Sequence, residues 1–179
     1  KKVVEIVMDE VKDRVPVVVH VGAMSTKISI DLAKHAESFK ATGISSVPPF
    51  YRKFSEDQIF NYYKDIADSV SIPMIIYNVP LIGMMPLNMI KRLAEVDNIR
   101  GVKYTGADIF QETLIKDAVG DDFLVYGGAD EMAASNLSLG VDGIVGSVYN
   151  VIPDLFLEIY DNLKKGDQSQ AEIIQKKAV

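Results

Sequence analysis

The chain has 179 residues, 48% of them apolar, and 25 acidic against 19 basic side chains give a formal charge of −6. That length allows one domain with a substantial core, or part of a larger one, and the composition excludes an intrinsically disordered chain. Acidity argues against a nucleic-acid partner, the lack of cysteine excludes disulfide and thiol chemistry, and the apolar runs are too short or too broken by Pro and Gly to span a bilayer.

In chain order, "KKVVEIVMDEVKDR" reads as an amphipathic helix without a preceding cap, not as the basic-then-apolar start of a secretory signal. A cytoplasmic protein is the expectation. Apolar, β-branched runs then recur at Pro16 to Gly22, Gly43 to Val47, Pro73 to Val79, Ile99 to Thr105, Phe123 to Gly128 and Gly143 to Tyr149. Each reads as a strand, and the stretches between them carry helical spacing. Ser55 and Gln58 form a capping-box pattern opening "SEDQIFNYYKDIADSV", Pro86 suits the first turn of the next helix, and "DLFLEIYDNLKKGD" closes on lysines and a glycine. Six strands alternating with helices predict an α/β chain of parallel βα units, as a single domain over residues 1–179. A doubly wound sheet and an incomplete eight-fold barrel both fit this pattern.

Ligands in either architecture bind at the carboxyl ends of parallel strands. Those ends present Tyr77 and Asn78, then Lys103 and Thr105, then Asp130 and Glu131, then Ser147. In the fourth run Ile99, Gly101, Lys103 and Thr105 share one face, and Val102 and Tyr104 share the other. If Val102 and Tyr104 pack on helices, Lys103 points inward with Gly101 leaving room for its stem. Enclosure favours a neutral amine, which attacks ketones to form a Schiff base. A lysine here can also snorkel to solvent or pair with a carboxylate. Tyr77 alone fits an ordinary strand tyrosine, Asp130 and Glu131 a helix start, and Ser147 a turn. No phosphate loop, G-x-G-x-x-G or G-x-S-x-G elbow occurs, and His20 and His35 lack ligand-spaced partners, so no metal site is expected and His20 reads as a satisfied core residue.

The succession "IIYNVP", "GVKYTG", "GGADE" and "DGIVGSVYN", with "PVVVHVGAMST" and "SSVPPFY" before it, resembles the class I aldolase family of N-acetylneuraminate lyase and dihydrodipicolinate synthase. The resemblance implies a (β/α)8 TIM barrel, usually a homotetramer. Against that pattern the chain covers roughly strands 3 to 8. It lacks the first two strands, their "G-[ST]-T-G-E" type carboxylate loop, and the C-terminal helices. Read this way it is a fragment, expected to be neither stable nor active alone, because unpaired strand edges invite aggregation.

The resemblance also assigns roles. Lys103 forms the imine with pyruvate or the sugar acid, and Tyr77 moves the proton near it; no metal and no dissociable cofactor are implied. Thr105, Gly128, Asp130, Glu131 and Ser147 match positions that bind the polyhydroxy tail. Tyr51 matches a tyrosine that synthases donate across an interface, or simply packs there. A synthase would carry an arginine after "YNVP", whereas this chain reads "YNVPLIGMM", a loop one residue short with Ile82 where Ser or Thr is common. The lyase branch, cleaving N-acetylneuraminate to N-acetylmannosamine and pyruvate, is therefore expected. The alternatives are dihydrodipicolinate synthase, another keto-sugar-acid aldolase, or an inactive sugar-acid binding protein.

Overall fold

A computed structural model describes residues 1–178. The six predicted strands are all present, and they lie side by side in chain order. The chain divides into two compact units, residues 1–101 and 102–179, with the boundary falling inside the fourth strand.

The first unit contains α1 (Lys2–Val11), β1 (Val18–His20), α2 (Thr26–Ser38), β2 (Gly43–Ser46), α3 (Glu56–Ala67), β3 (Met74–Asn78), α4 (Leu87–Ala94) and the start of β4 (Ile99–Tyr104). β1, β2 and β3 pair in parallel, Ile44 facing Val19 on one side and Met74 on the other. Ile44, Met74 and Ile76 are fully buried, as are Ile66 and Leu93 from the helices, so apolar burial of roughly 1.5–3 kcal/mol per side chain drives this layer. Ser55 caps α3: its hydroxyl accepts the Gln58 N–H at 3.2 Å and the Gln58 side chain accepts the Ser55 N–H at 3.0 Å. Pro86 stands just before α4 as its N-cap, one position earlier than the sequence implies.

A polar hub sits among the apolar layers of this unit. The Tyr62 hydroxyl lies 2.9 Å from Ser29 Oγ and 3.0 Å from Ser46 Oγ, and Ser29 and Ser46 are fully buried. The Ala23 N–H donates to Ser29 Oγ at 3.0 Å, so the hub fixes the backbone just after β1. Buried hydroxyls that satisfy one another avoid the cost of a lost hydrogen bond.

The second unit contains the rest of β4, α5 (Phe110–Val119), β5 (Leu124–Gly127), α6 (Ala133–Ser138), β6 (Gly143–Ile144), α7 (Pro153–Lys164) and α8 (Gln168–Ala178). β5 and β6 pair in parallel, Tyr126 opposite Gly143. Its core gathers Ala133, Ala134, Phe156, Ile159, Ala171 and Ile174, where alanines let α6, α7 and α8 approach closely. Gly166, at φ +80°, turns the chain between α7 and α8, a conformation that favours glycine. The sixth strand is shorter than the Gly143 to Tyr149 run predicts, because a tight 3₁₀ turn, Val148–Asn150, takes over. Among the described residues no helix is long and apolar enough to cross a membrane.

Candidate active site

Two side chains from the end of β4 converge on one glycine. A Cβ added to Gly128, just past β5, would collide with Thr105 Oγ1 and come within 2.9 Å of Lys103 Cε. Lys103 and Thr105 thus lie on the same side of the strand, as period two requires. The backbone cements the approach: the Gly128 N–H donates to the Tyr104 carbonyl at 2.7 Å. Only a residue without a side chain leaves space for the lysine stem to pass. Thr105 Oγ1 is buried and has no hydrogen-bond partner among the described residues. On the opposite face Val102 and Tyr104 are buried, and burial, with Asp108 and Glu112 nearby, raises the Tyr104 hydroxyl above its ordinary range.

The acidic pair follows β5 in the 3₁₀ turn Asp130–Met132. Glu131 is exposed. Asp130 is not: its Oδ2 accepts the N–H groups of Ser147 and Val148, both at 3.1 Å. Its Oδ1 occupies the space a Cβ at Gly146 would need, beside the Tyr149 ring. Burial first, then the Asp130 and Glu131 charges, holds the Tyr149 hydroxyl well above its usual range, so it stays a neutral phenol. Thr105, Gly128, Asp130 and Ser147 are thus linked within the second unit through β4, β5 and the turn after β6.

In the first unit Tyr77 and Asn78 close β3. The Tyr77 ring meets His20 edge-on at 6.3 Å, and its backbone amide lies beside the fully buried Tyr63 hydroxyl, which donates to the Ser46 carbonyl at 3.0 Å. Asn78 pins the loop after Tyr77, since Oδ1 accepts the Met85 N–H at 2.9 Å and Nδ2 donates to the Met85 carbonyl at 3.2 Å. Tyr51 is 63% exposed and stacks edge-on against Phe54, with the Arg52 guanidinium over the Phe54 ring at 4.6 Å. His20 corrects an expectation. It is exposed rather than buried in a core, with Nδ1 3.3 Å from Ser45 Oγ. Among the described residues no group of His, Cys, Asp or Glu is gathered to hold a metal ion.

Sequence reasoning passed over Tyr149 and Gln175. Tyr149 lies inside the quoted "VGSVYN" motif and could have been flagged as a large side chain close to a glycine. Gln175 gives no local signal, since its contacts lie 41 and 45 residues away.

Parallel strands with a lysine, a threonine and an acidic turn at their carboxyl ends define an α/β protein whose strand ends gather polar side chains. The chain belongs to the dihydrodipicolinate synthetase family, whose pattern matches residues 1–179. It is 36% identical to a 4-hydroxy-tetrahydrodipicolinate synthase of Nitrobacter hamburgensis, over 100% of the chain and 61% of that protein. It is 35% identical to an N-acetylneuraminate lyase of Salmonella paratyphi A, over 98% of the chain and 60% of that protein. Among solved structures it superposes on CdNal from Clostridium difficile in complex with mannosamine with a TM-score of 0.94 at 35% identity, covering 98% of the chain and 61% of CdNal. The chain therefore spans about three fifths of the length of these relatives, and its fold is the corresponding part of a (β/α)8 barrel.

Proposed function

We propose that this family member is a Schiff-base aldolase that cleaves N-acetylneuraminate to N-acetylmannosamine and pyruvate. The observation that carries the reading is the crossing of Lys103 Cε and Thr105 Oγ1 over Gly128, with the threonine hydroxyl buried and unpartnered among the described residues. A lysine stem held against a bare glycine, beside an unspent hydrogen-bonding group, suits a site where the amine meets a carbonyl and the hydroxyl meets the rest of the substrate.

In this reading the Lys103 amine adds to the keto carbon of the sugar acid, and loss of water leaves a protonated imine. A base, assigned to Tyr77, takes the proton of the reacting hydroxyl, which becomes the carbonyl of the departing sugar. The C–C bonding pair moves into the iminium carbon system, giving an enamine. Protonation of that enamine and addition of water release pyruvate and restore the amine. No metal and no dissociable cofactor enters the scheme. Thr105, the Gly128 backbone, Glu131 and Ser147 form the polar wall for the hydroxylated tail, with Asp130 behind it on the main chain of the Ser147 loop. The loop after Tyr77 carries no arginine to hold a second substrate carboxylate, and CdNal, so similar in fold, was solved with mannosamine. Both support the lyase branch.

The second reading is dihydrodipicolinate synthase, which the 36% identity to a curated synthase favours. Incubating the intact protein with pyruvate and borohydride, then mapping the mass adduct, tests the shared chemistry. One reduced-pyruvate adduct on Lys103, lost in Lys103→Ala, is expected; a folded protein with no adduct overturns the aldolase assignment. Turnover of N-acetylneuraminate against condensation with aspartate semialdehyde then separates the branches.

A further inference from the structure

We propose that Gln175 and Asp130 act together as positioning residues, setting the place of the loop that carries Ser147. The inference rests on the aldolase reading only in giving Ser147 a substrate to meet. Gln175 projects from α8 and straps the acidic turn. Its Oε1 accepts the Ala134 N–H at 2.9 Å, and its Nε2 donates to the Asp130 carbonyl at 3.2 Å. One side-chain amide thus fixes both flanks of the turn Asp130–Met132, reaching from α8 in the same unit.

Asp130 passes that placement on. Its Oδ2 accepts two successive main-chain N–H groups, those of Ser147 and Val148, both at 3.1 Å. These amides open the 3₁₀ turn Val148–Asn150, where a turn's first N–H groups have no partner of their own. A carboxylate satisfies them with charge-assisted bonds, roughly twice as strong as neutral ones. The other oxygen, Oδ1, is buried over Gly146 beside Tyr149 and has no partner among the described residues. One carboxylate oxygen is therefore committed to the loop's amides, and the other is enclosed beside them. Glu131 alone of the acidic pair is exposed.

The consequence for the reaction is specific. Loosening the brace displaces the Ser147 loop, while Lys103, anchored on β4 against Gly128, keeps its place. Binding of the hydroxylated substrate suffers and imine formation does not.

Residue-resolved amide exchange, pyruvate–borohydride trapping and steady-state kinetics on the intact protein test this with Asp130→Ala, Asp130→Asn and Gln175→Leu. In Asp130→Ala the Ser147 and Val148 amides should exchange at least tenfold faster and KM for the sugar acid should rise several-fold, with trapping at Lys103 retained. Gln175→Leu, a change at a half-buried helix position, should move both readouts in the same direction by less. Asp130→Asn should recover most of each loss, because an amide oxygen accepts the same N–H groups. Asparagine as poor as alanine in KM, with both amides still protected, would overturn the proposal and make Asp130 a direct substrate ligand. Absence of any pyruvate adduct in the unaltered protein would sink the aldolase reading instead, and the exchange measurement would still decide whether the brace exists.

Discussion

Glu112 sits in the first turn of α5 at 1% exposure, and neither carboxylate oxygen has a hydrogen-bond partner among the described residues. Burial alone raises its carboxyl from the usual range to about 7. Lys116, one turn on, is paired with Asp142 at 2.7 Å. The folded chain therefore holds the proton more tightly than the unfolded chain does. Stability associated with Glu112 is complete below about pH 4.5, declines as pH rises toward 7, and is flat above, for a total on the order of 3 kcal/mol. Glu112→Gln should melt higher than the parent at pH 8 and match it near pH 4; equal melting at both pH values would remove the buried acid from the account. Nothing in the sequence exposes this residue, since a glutamate in a first helical turn reads as an ordinary dipole-favoured acid. Lys103 and Thr105 were legible, because period two alone puts them on one side of a strand. His20 was not, because alternation cannot say which side of β1 is covered.

Among elements, β4 and β5 meet where Gly128 lets the side chains of one pass the backbone of the other. Gly128→Ala forces Thr105 Oγ1 to move, and a β-branched side chain on a strand has few other rotamers. The variant should lose about 1 to 3 kcal/mol of stability, and pyruvate trapping at Lys103 should slow; melting and trapping rate together report it. Unchanged values in both would mean that the crossing is not a tight fit. All six strands and the start of α3 were readable, since β-branched runs and a capping box carry their own local physics. The shortness of β6 was not. Its run continues apolar to Tyr149, yet Asp130, seventeen residues earlier in the chain, claims the Ser147 and Val148 amides that a longer ladder would need. The α8 contact to the acidic turn was equally hidden, because a glutamine on a helix has no periodic signature.

For the molecule as a whole, the family was readable from strand-end motifs, while the particular reaction was not. Relatives at 35% and 36% identity carry the names of two different activities. The Asp130 contact bears on how such divergence can arise. Its partners are main-chain amides, so it imposes no demand on which side chains stand at Ser147 and Val148, save that neither be proline, which has no N–H to give. Saturating Ser147, which is exposed, and sorting for folded protein should return every residue type but proline, whereas a strict preference would contradict a backbone anchor. A loop fastened by its backbone can be rewritten letter by letter without coming loose, which makes it natural ground for new substrate preferences to be tried and kept.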